Sequence, residues 1–415
     1  MHTKLREKGL DWRQLETALT DFSDGDARWR DMRTMVFVFN PGEDVLEVAK
    51  SAYAMYQSEN GLGADSAFPS LKQMEDEVVS IGLDLLNAPP GACGNITSGG
   101  TESIFLALKT CRDLARSEGK DTRDAEILVP RSAHPAFDKA ASYLDLKVVR
   151  VPVDANYLAD SESMASRIST KTLMLVGSAP CFPYGLIDPI ENLNEIALRH
   201  GLWLHVDACV GGYFAPFAAM NGVDLPRFDF SLPAVCSISA DLHKYGYAAK
   251  GASTIFHRTQ AQREHQYFTC DAWPVGTMRT PTAAGTRAGG AIASAWAVMN
   301  YLGAQGYREK TRAVVDCRRR LSAAIEAIAA LEVVGEPQLG LIAYTSREID
   351  ILAVGEQLAE KGWFGPMLNE PPAVHLMLSP AHATVINDYI KDLEDSVALV
   401  TKSGLTATTR TARYN

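Results

Sequence analysis

Between residues 127 and 256, short apolar runs alternate with stretches whose apolar residues recur at helical spacing. Six of these runs have the length of buried strands, at 127–129, 146–151, 172–176, 202–206, 235–239 and 253–256. Helical patterns separate several of them, as at 136–144 and 190–200. Strands spaced by helices predict a mostly parallel sheet that is covered on both faces.

Beyond Gly306 the pattern changes to a long helix followed by alternating strands and helices, at 307–330, 339–344, 349–361, 374–378 and 382–401. A chain of 415 residues also exceeds the size at which one hydrophobic core stops growing. We therefore predict an α/β protein with an N-terminal segment, a large domain and a small C-terminal α+β domain, over residues 1–55, 56–305 and 306–415.

Charge, hydrophobicity and cysteine spacing each argue against certain classes of protein. The net charge of −10 argues against nucleic acid as a partner, because phosphate backbones bind basic surfaces. No stretch approaches the roughly 20 apolar residues that span a bilayer, and residues 1–16 do not resemble a secretory signal. The seven cysteines form no CxxC pair, so neither a disulfide framework nor a zinc site is indicated. These features predict a cytoplasmic enzyme without a metal.

Two glycines lie where an apolar turn leads into a helix, in the segment Ser98-Gly99-Gly100-Thr101. Glycine lets the backbone approach a ligand closely, and the free N–H groups of a helix's first turn attract an anion such as phosphate. The alternative is a glycine-rich cap in which a hydroxyl closes the helix. Taken alone, the segment favours the cap.

Two further polar residues lie at predicted strand ends. Asp207 follows the apolar run 202–206, and ligands of open α/β sheets bind at the carboxyl ends of strands. A buried carboxylate there needs a cation such as a protonated pyridine nitrogen, although Asp207 could equally cap the next turn. His134 lies between a strand and a helix, where it is either a capping or core residue or a flat ring for stacking. Cys209 is interpreted as a small packing residue.

The pair His243-Lys244 lies among small and aromatic residues. Partial burial lowers the pKa of a lysine, and a neutral amine condenses with an aldehyde to form a Schiff base. An isolated His-Lys pair is usually exposed and has no such role. Here it follows a candidate phosphate site, a stacking ring and an acid for a ring nitrogen. A phosphate site, a stacking ring, an acid for the ring nitrogen and an amine for the aldehyde are the groups that a protein must supply to bind pyridoxal phosphate.

These motifs resemble the fold-type I pyridoxal-phosphate enzymes of the group II decarboxylase superfamily, and within it most closely the sphingosine-1-phosphate lyases. The segments that carry the resemblance are TSGGTESIFLALKTCRDLA, SAHPAFDKAASYL, GLIDPI, HVDACVGGYFAPF, SISADLHKYGYAAKG and TPTAAGTRAGG. The resemblance extends from about residue 50 to 400 and implies an aspartate aminotransferase-like fold.

The resemblance implies pyridoxal 5'-phosphate as cofactor and a binding set that consists of Gly100, Thr101, His134, Asp207, His243 and Lys244. Within this set, Lys244 would form the Schiff base, Asp207 would bind the pyridine nitrogen and His134 would stack on the ring. These three are the expected catalytic residues, and the other three would contact the cofactor phosphate.

The resemblance also implies that Lys250 helps to bind a phosphate on the substrate. Family members are homodimers with active sites at the subunit interface. There, a loop such as 285–287 of one subunit approaches the cofactor of the other.

The sequence departs from the family where the substrate binds. Residues 60–65 lack the histidine with which the family contacts the substrate phosphate, and family tyrosines align near Phe39 and Met278. Losing a buried donor to an anion costs about 1.5–3 kcal/mol, so two losses would weaken phosphate recognition by roughly 10²–10⁴-fold. Either Arg279, Arg287 and Lys250 compensate, or the substrate carries a carboxylate or no phosphate.

Three functions follow from these residues. The first is a carbon–carbon lyase that cleaves a small-molecule amine, such as a phosphorylated long-chain or small β-hydroxy amine, by retro-aldol chemistry to release an aldehyde. The second is an L-amino-acid decarboxylase, which needs the same cofactor site. The third is a cofactor-binding protein without catalysis, against which the presence of both Lys244 and Asp207 argues.

Overall fold

The computed structural model describes residues 3–408. Within them, the large sheet has seven strands: β1 (Cys93–Thr97), β2 (Glu126–Pro130), β3 (Lys147–Val151), β4 (Thr172–Ser178), β5 (Trp203–Asp207), β6 (Val235–Ala240) and β7 (Ser253–His257). Their spatial order is β1-β7-β6-β5-β4-β2-β3, and in this sheet β7 runs opposite to the rest. The predicted α/β fold with a mostly parallel sheet is confirmed.

The helices of the described chain are α1 (Trp12–Phe22), α2 (Glu43–Met55), α3 (Pro69–Leu85), α4 (Gly100–Ser117), α5 (Ala136–Leu144), α6 (Ser161–Ser166), α7 (Ile190–His200), α8 (Ala215–Met220), α9 (Gln260–Glu264), α10 (Gly289–Glu326), α11 (Ile351–Glu360) and α12 (Ile386–Ser403). Among residues 3–408, no helix is long and apolar enough to cross a membrane.

Both faces of the large sheet are buried. Ile127 and Val129 of β2 belong to a core that includes apolar residues of α4 and α5. Leu128, between them, points to the opposite face and belongs to the main core. Because successive residues of a strand face opposite sides, two separate cores on one strand require cover on both faces. This arrangement explains why most strand residues are apolar on both faces.

A second sheet follows α10 and has four strands in the described chain: β10 (Glu332–Val333), β11 (Leu341–Thr345), β12 (Met367–Asn369) and β13 (Pro372–Met377). Earlier in the chain, β8 (Phe268–Cys270) and β9 (Met278–Thr280) form a short antiparallel hairpin. The strands predicted at 339–344 and 374–378 correspond to β11 and β13. The division of the chain into domains at residues 55 and 305 stays a prediction.

Helix α10 differs from the helix predicted over 307–330. It begins eighteen residues earlier, at Gly289, and is interrupted at Gly303, whose φ of 54° and ψ of −176° are not helical. At Gly290, a side chain would come within 2.7 Å of the Tyr53 carbonyl oxygen. Glycine therefore allows α10 to pack closely against α2.

Candidate active site

A cavity of about 470 Å³ lies at the carboxyl ends of the parallel strands. Strand β1 leads into Gly99, β5 ends in Asp207 and β6 leads into Asp241, so the sheet brings distant segments to one edge. All six residues predicted to bind the cofactor line this cavity: Gly100, Thr101, His134, Asp207, His243 and Lys244. Lys250 is not among its lining residues.

One wall of the cavity is the beginning of helix α4. Glu102 closes this helix start by accepting hydrogen bonds from the Ser98 backbone N–H at 2.6 Å and from the Ser98 hydroxyl at 2.7 Å. Gly99 is the N-cap residue and no side chain of the described residues accepts from the first turn, so the interpretation as a cap closed by a hydroxyl is wrong. The Gly100 and Thr101 N–H groups belong to the first turn, where a helix supplies no acceptor, and both residues line the cavity.

Close packing at Gly100 explains the glycine. A Cβ there would lie 2.7 Å from the Cys209 Sγ and 2.9 Å from both carboxylate oxygens of Asp241. Cys209 is buried, as expected for a packing residue, but it also lines the cavity. The helix start is thus held against the loop that follows β6.

The loop after β6 contains a buried ion pair. The Lys244 Nζ lies 3.0 Å from the Asp241 Oδ2, and the His243 Nε2 lies 3.6 Å from the same oxygen. Burial, the largest single influence, would lower the pKa of Lys244, but the negative groups around it, Asp241 foremost, together outweigh burial and the net shift is upward. The predicted lowering of this lysine's pKa is therefore wrong. The other carboxylate oxygen of Asp241 is buried without a hydrogen-bond partner.

Two donors orient Asp207 at the end of β5. The backbone N–H of Cys209 donates to its Oδ1 at 3.0 Å, and the Ser239 hydroxyl donates to the same oxygen at 3.3 Å. Asp207 therefore caps the following turn, as the alternative interpretation held, and also faces the cavity. The two interpretations are compatible.

Both histidines of the cavity are held neutral. Burial lowers the pKa of His134, and it lowers the pKa of His243 to about 4 although Asp241 acts in the opposite direction. The His134 Nδ1 accepts a hydrogen bond from the Ala136 N–H, and the His243 Nδ1 accepts one from the Ala252 N–H. In each neutral ring, the proton is therefore on Nε2.

Comparison with known proteins agrees with this geometry. Residues 39–347 match the family model described as the pyridoxal-dependent decarboxylase conserved domain. The chain belongs to this family. It is therefore a pyridoxal-phosphate-dependent lyase.

Three relatives of the chain are named sphingosine-1-phosphate lyases. The chain is 40% identical to the sphingosine-1-phosphate lyase of Oryza sativa subsp. japonica, over 96% of this chain and 75% of that protein. It is 38% identical to sphingosine-1-phosphate lyase 1 of Mus musculus, over 98% of this chain and 71% of that protein. The solved sphingosine-1-phosphate lyase of Burkholderia pseudomallei has a TM-score of 0.92 and 34% identity, and the match covers 96% of this chain and 93% of that one.

The cavity fits the cofactor of this family. Gly100 lets the start of α4 pack against Cys209 and Asp241, and the first turn of this helix offers N–H groups to a phosphate. Asp207 offers a carboxylate to a ring nitrogen, and Lys244 offers an amine to an aldehyde. The buried, unpartnered oxygen of Asp241 provides a further acceptor at the same place.

One departure from the family, Phe39, lies beside Lys250, which is outside the cavity. The Lys250 Nζ lies 5.5 Å from the centre of the buried Phe39 ring, and it donates to the His243 carbonyl oxygen at 3.3 Å. Displacement of water and the Lys244 charge lower the pKa of Lys250 to about 8, although the residue is exposed. The residue that aligns with the family tyrosine thus contacts this lysine and offers it a ring face instead of a hydroxyl.

The two arginines expected to compensate have other partners. The Arg287 Nη1 contacts both oxygens of Glu75, at 2.6 and 2.7 Å, and this pair is buried. Arg279 pairs with Glu264 at 2.5 Å and lies over the Tyr267 ring at 3.7 Å. Neither arginine lines the cavity described above. Of the three candidates, only Lys250 lies beside Phe39.

The loop 285–287 packs against its own chain. The Asn60 side chain accepts a hydrogen bond from the Arg287 N–H at 3.1 Å, and the Ala283 N–H donates to Glu102 at 2.8 Å. Met278, which aligns with a second family tyrosine, lies 3.9 Å from the position of a Cβ at Gly285. The segment 60–65 and this loop therefore form one surface next to the start of α4.

Asp241 and Glu102 are the site residues that sequence reasoning missed. Both stand within motifs that were recognised, but neither was given a role. A signal was available for Asp241, because an acid three residues before a reactive lysine can pair with it in one turn.

Proposed function

We propose that this protein is an aldehyde-lyase that cleaves a phosphorylated β-hydroxy amine, long-chain or small, by retro-aldol chemistry. The observation that carries the proposal is the joint lining of one cavity by Lys244, Asp207, His134 and the first turn of α4. Relatives at 38–40% identity, named sphingosine-1-phosphate lyases, support this reaction over others of the family.

The chain's own residues hold the cofactor in this proposal. Lys244 binds its aldehyde carbon, Asp207 holds the proton on its ring nitrogen, and His134 packs against the ring. Gly100, Thr101 and His243 hold its phosphate. Pyridoxal phosphate, when bound, supplies an electron sink for the electron pair released as the carbon–carbon bond breaks.

Asp241 prepares Lys244 for this role. An ammonium cannot attack an aldehyde, so Lys244 must lose a proton before it binds the cofactor. The Asp241 carboxylate, 3.0 Å from the Nζ, holds the Lys244 side chain in the cavity but stabilises its ammonium, so the proton leaves only as that ion pair is given up. The one acid in the first turn of α4, Glu102, accepts hydrogen bonds from Ser98 and Ala283 outside the turn, which leaves the turn's own N–H groups to the phosphate.

Lys250 binds the substrate phosphate in this proposal. Its ammonium lies beside the loop that carries Lys244, and Phe39 supplies an apolar wall on one side. Because Phe39 cannot donate a hydrogen bond, recognition of the phosphate depends mainly on the charge of Lys250.

We also propose a cytoplasmic homodimer with active sites at the subunit interface. Free cysteines agree with a reducing compartment. An apolar stripe on α1 that consists of Trp12, Leu15, Leu19 and Phe22 is exposed in the single chain, and a second subunit would cover such a surface. Light scattering of the purified protein should give twice the chain mass of 45.1 kDa.

Product analysis tests the reaction. Incubation of the cofactor-loaded protein with a phosphorylated long-chain β-hydroxy amine should release an aldehyde and a phosphorylated amine in equal amounts. Lys244→Ala is the matched control and should release neither. If L-amino acids instead yield carbon dioxide and the β-hydroxy amine is not cleaved, the protein is a decarboxylase and the proposed reaction is wrong.

A further inference from the structure

A line of buried polar side chains lies behind Asp207. Trp203, His205 and Asp207 alternate along β5 and share one face, while Ser237 and Ser239 pair with His205 and Asp207 from β6. All five are buried, and His205 and both serines have no exposed surface. A polar group buried this deeply needs hydrogen bonds, so their pattern is informative.

The hydrogen bonds join these residues into one chain. The Trp203 Nε1 donates to the Ser237 Oγ at 2.8 Å, and the same oxygen lies 2.8 Å from the His205 Nδ1. On the other side of the ring, the His205 Nε2 lies 3.4 Å from the Ser239 Oγ, which donates to the Asp207 Oδ1 at 3.3 Å.

Both ends of the chain impose the same direction on its protons. Indole can only donate, so the Ser237 oxygen accepts from Trp203 and its own proton is available to the His205 Nδ1. A carboxylate can only accept, so Ser239 donates to Asp207 and its oxygen accepts from the His205 Nε2. The His205 Nε2 therefore carries a proton. Burial lowers the pKa of His205 to about 4, which agrees with a neutral ring.

We propose that His205 is a positioning residue for the cofactor ring. Through Ser239 it directs a hydrogen-bond donor at Oδ1 of Asp207, which orients the carboxylate toward the ring nitrogen. The inference rests on the proposed function, because it requires Asp207 to bind that nitrogen. His205 itself is not among the residues that line the cavity, so its effect must be transmitted through Ser239 and Asp207.

A cofactor analogue separates positioning from a purely structural role. The probes are pyridoxal phosphate and its 1-deaza analogue, in which the ring nitrogen is replaced by a C–H group, and the measurement is equilibrium dialysis against the apoprotein. His205→Phe should weaken binding of pyridoxal phosphate up to about tenfold, because loss of the buried His205–Ser239 bond leaves the Ser239 hydroxyl free to turn away from Asp207. Binding of the deaza analogue should change less than about twofold, because it offers Asp207 no partner.

Two further variants control the interpretation. His205→Gln keeps one donor and one acceptor, so it should restore most of the affinity for pyridoxal phosphate. His257→Phe removes another buried histidine of the same sheet, whose Nε2 bonds to Gln266 rather than to this chain, and it should affect both probes equally. If His205→Phe does not fold, as judged by thermal unfolding, Ser239→Ala breaks the same chain and takes its place.

The outcomes are distinct. Equal weakening of both probes by His205→Phe, or no weakening of either, overturns the positioning role. Asp207→Asn tests the underlying assumption, since it should also weaken only pyridoxal phosphate. If Asp207→Asn fails to discriminate between the probes, the assignment of Asp207 in the proposed function is wrong. If Asp207→Asn discriminates and His205→Phe does not, only the inference about His205 fails.

Discussion

The cofactor end and the substrate end of the site are built from different kinds of contact. At the cofactor end, Asp207, Asp241 and Lys244 are held by hydrogen bonds and ion pairs of 3.0–3.3 Å among buried groups. At the substrate end, Lys250 is exposed, lies over the ring of Phe39 and makes one hydrogen bond to a carbonyl oxygen. One end is preorganised, whereas the other consists largely of a single charge beside an apolar wall.

This difference separates what the protein must keep from what it can change. The cofactor imposes a fixed set of needs, so the residues around it are locked by their neighbours. The substrate end can lose a hydroxyl or an imidazole without disturbing that network. We therefore expect variants at the cofactor end to abolish reaction with every substrate, and variants at the substrate end to discriminate between substrates.

The largest effect is expected for Lys244→Ala. Because no other lysine lines the cavity in the described chain, the variant should lower kcat/KM at least about 10³-fold for every amine tested. Steady-state kinetics of aldehyde release measures this loss. A residual rate within tenfold of the wild type would show that another residue holds the cofactor. The distinction between a cofactor end and a substrate end would then not hold.

Asp241→Asn should mainly affect stability of the apoprotein. Breaking a buried ion pair by removing one partner costs about 3–5 kcal/mol, which urea unfolding can measure. Burial raises the pKa of Asp241. The neighbouring Lys244 and His243 together lower it by more, so the net pKa lies below the ordinary value of 3.8. The ionised Asp241 carboxylate therefore stabilises the folded protein fully above pH 3.8. This contribution is lost as the pH falls through the folded-state pKa of Asp241.

The control for this prediction is Glu264→Gln, which breaks the exposed pair with Arg279. It should change the free energy of unfolding by less than about 1 kcal/mol. Wild-type protein should lose stability on acidification that Asp241→Asn does not lose. An equal acid dependence of the two proteins would contradict the assigned role of the pair.

Lys250→Met sharpens the comparison at the substrate end. Loss of one charge-assisted contact should reduce kcat/KM for a phosphorylated amine about 10–100-fold and leave an unphosphorylated analogue nearly unchanged. Since the pKa of Lys250 is lowered to about 8, its charge is lost as the pH rises through that value, and KM for the phosphorylated amine should rise. Lys250→Arg keeps the charge and should not show this rise. Equal losses with both substrates would place Lys250 at the cofactor end.

The smallest effect is expected for Arg279→Ala. Its side chain is already engaged by Glu264 and by the Tyr267 ring at the surface, so kcat/KM for the phosphorylated amine should change less than about threefold. A loss of tenfold or more, specific to phosphorylated substrates, would show that Arg279 replaces the missing phosphate donors.

The parts of the fold that the sequence predicts are those with a local cause. Strands β2–β7 are apolar because both sheet faces are buried, so their positions could be predicted to within one or two residues. Strand β1 was missed because it contains Asn95, which is polar and buried. Its side-chain oxygen accepts from the Gln266 amide at 2.6 Å, across 171 residues of sequence. The sequence around Asn95 does not indicate such a distant partner.

The same distinction applies to the site. The six cofactor residues could be gathered because each has a chemical type that the cofactor needs. The partners of Arg279 and Arg287 could not be predicted. They are Glu264 and Glu75, two acids in helical segments whose sequence resembles that of an exposed surface and lies outside the recognised motifs. Those two pairings leave Lys250 as the cation beside Phe39, which only the three-dimensional structure reveals.

The central claim is that Lys244 holds the cofactor. Reduction of the pyridoxal-phosphate-loaded protein with borohydride, followed by digestion and mass spectrometry, locates the modified lysine directly. We expect a single pyridoxyl adduct, on Lys244. An adduct on Lys250 or another lysine, or uptake of pyridoxal phosphate without any reducible adduct, would contradict it.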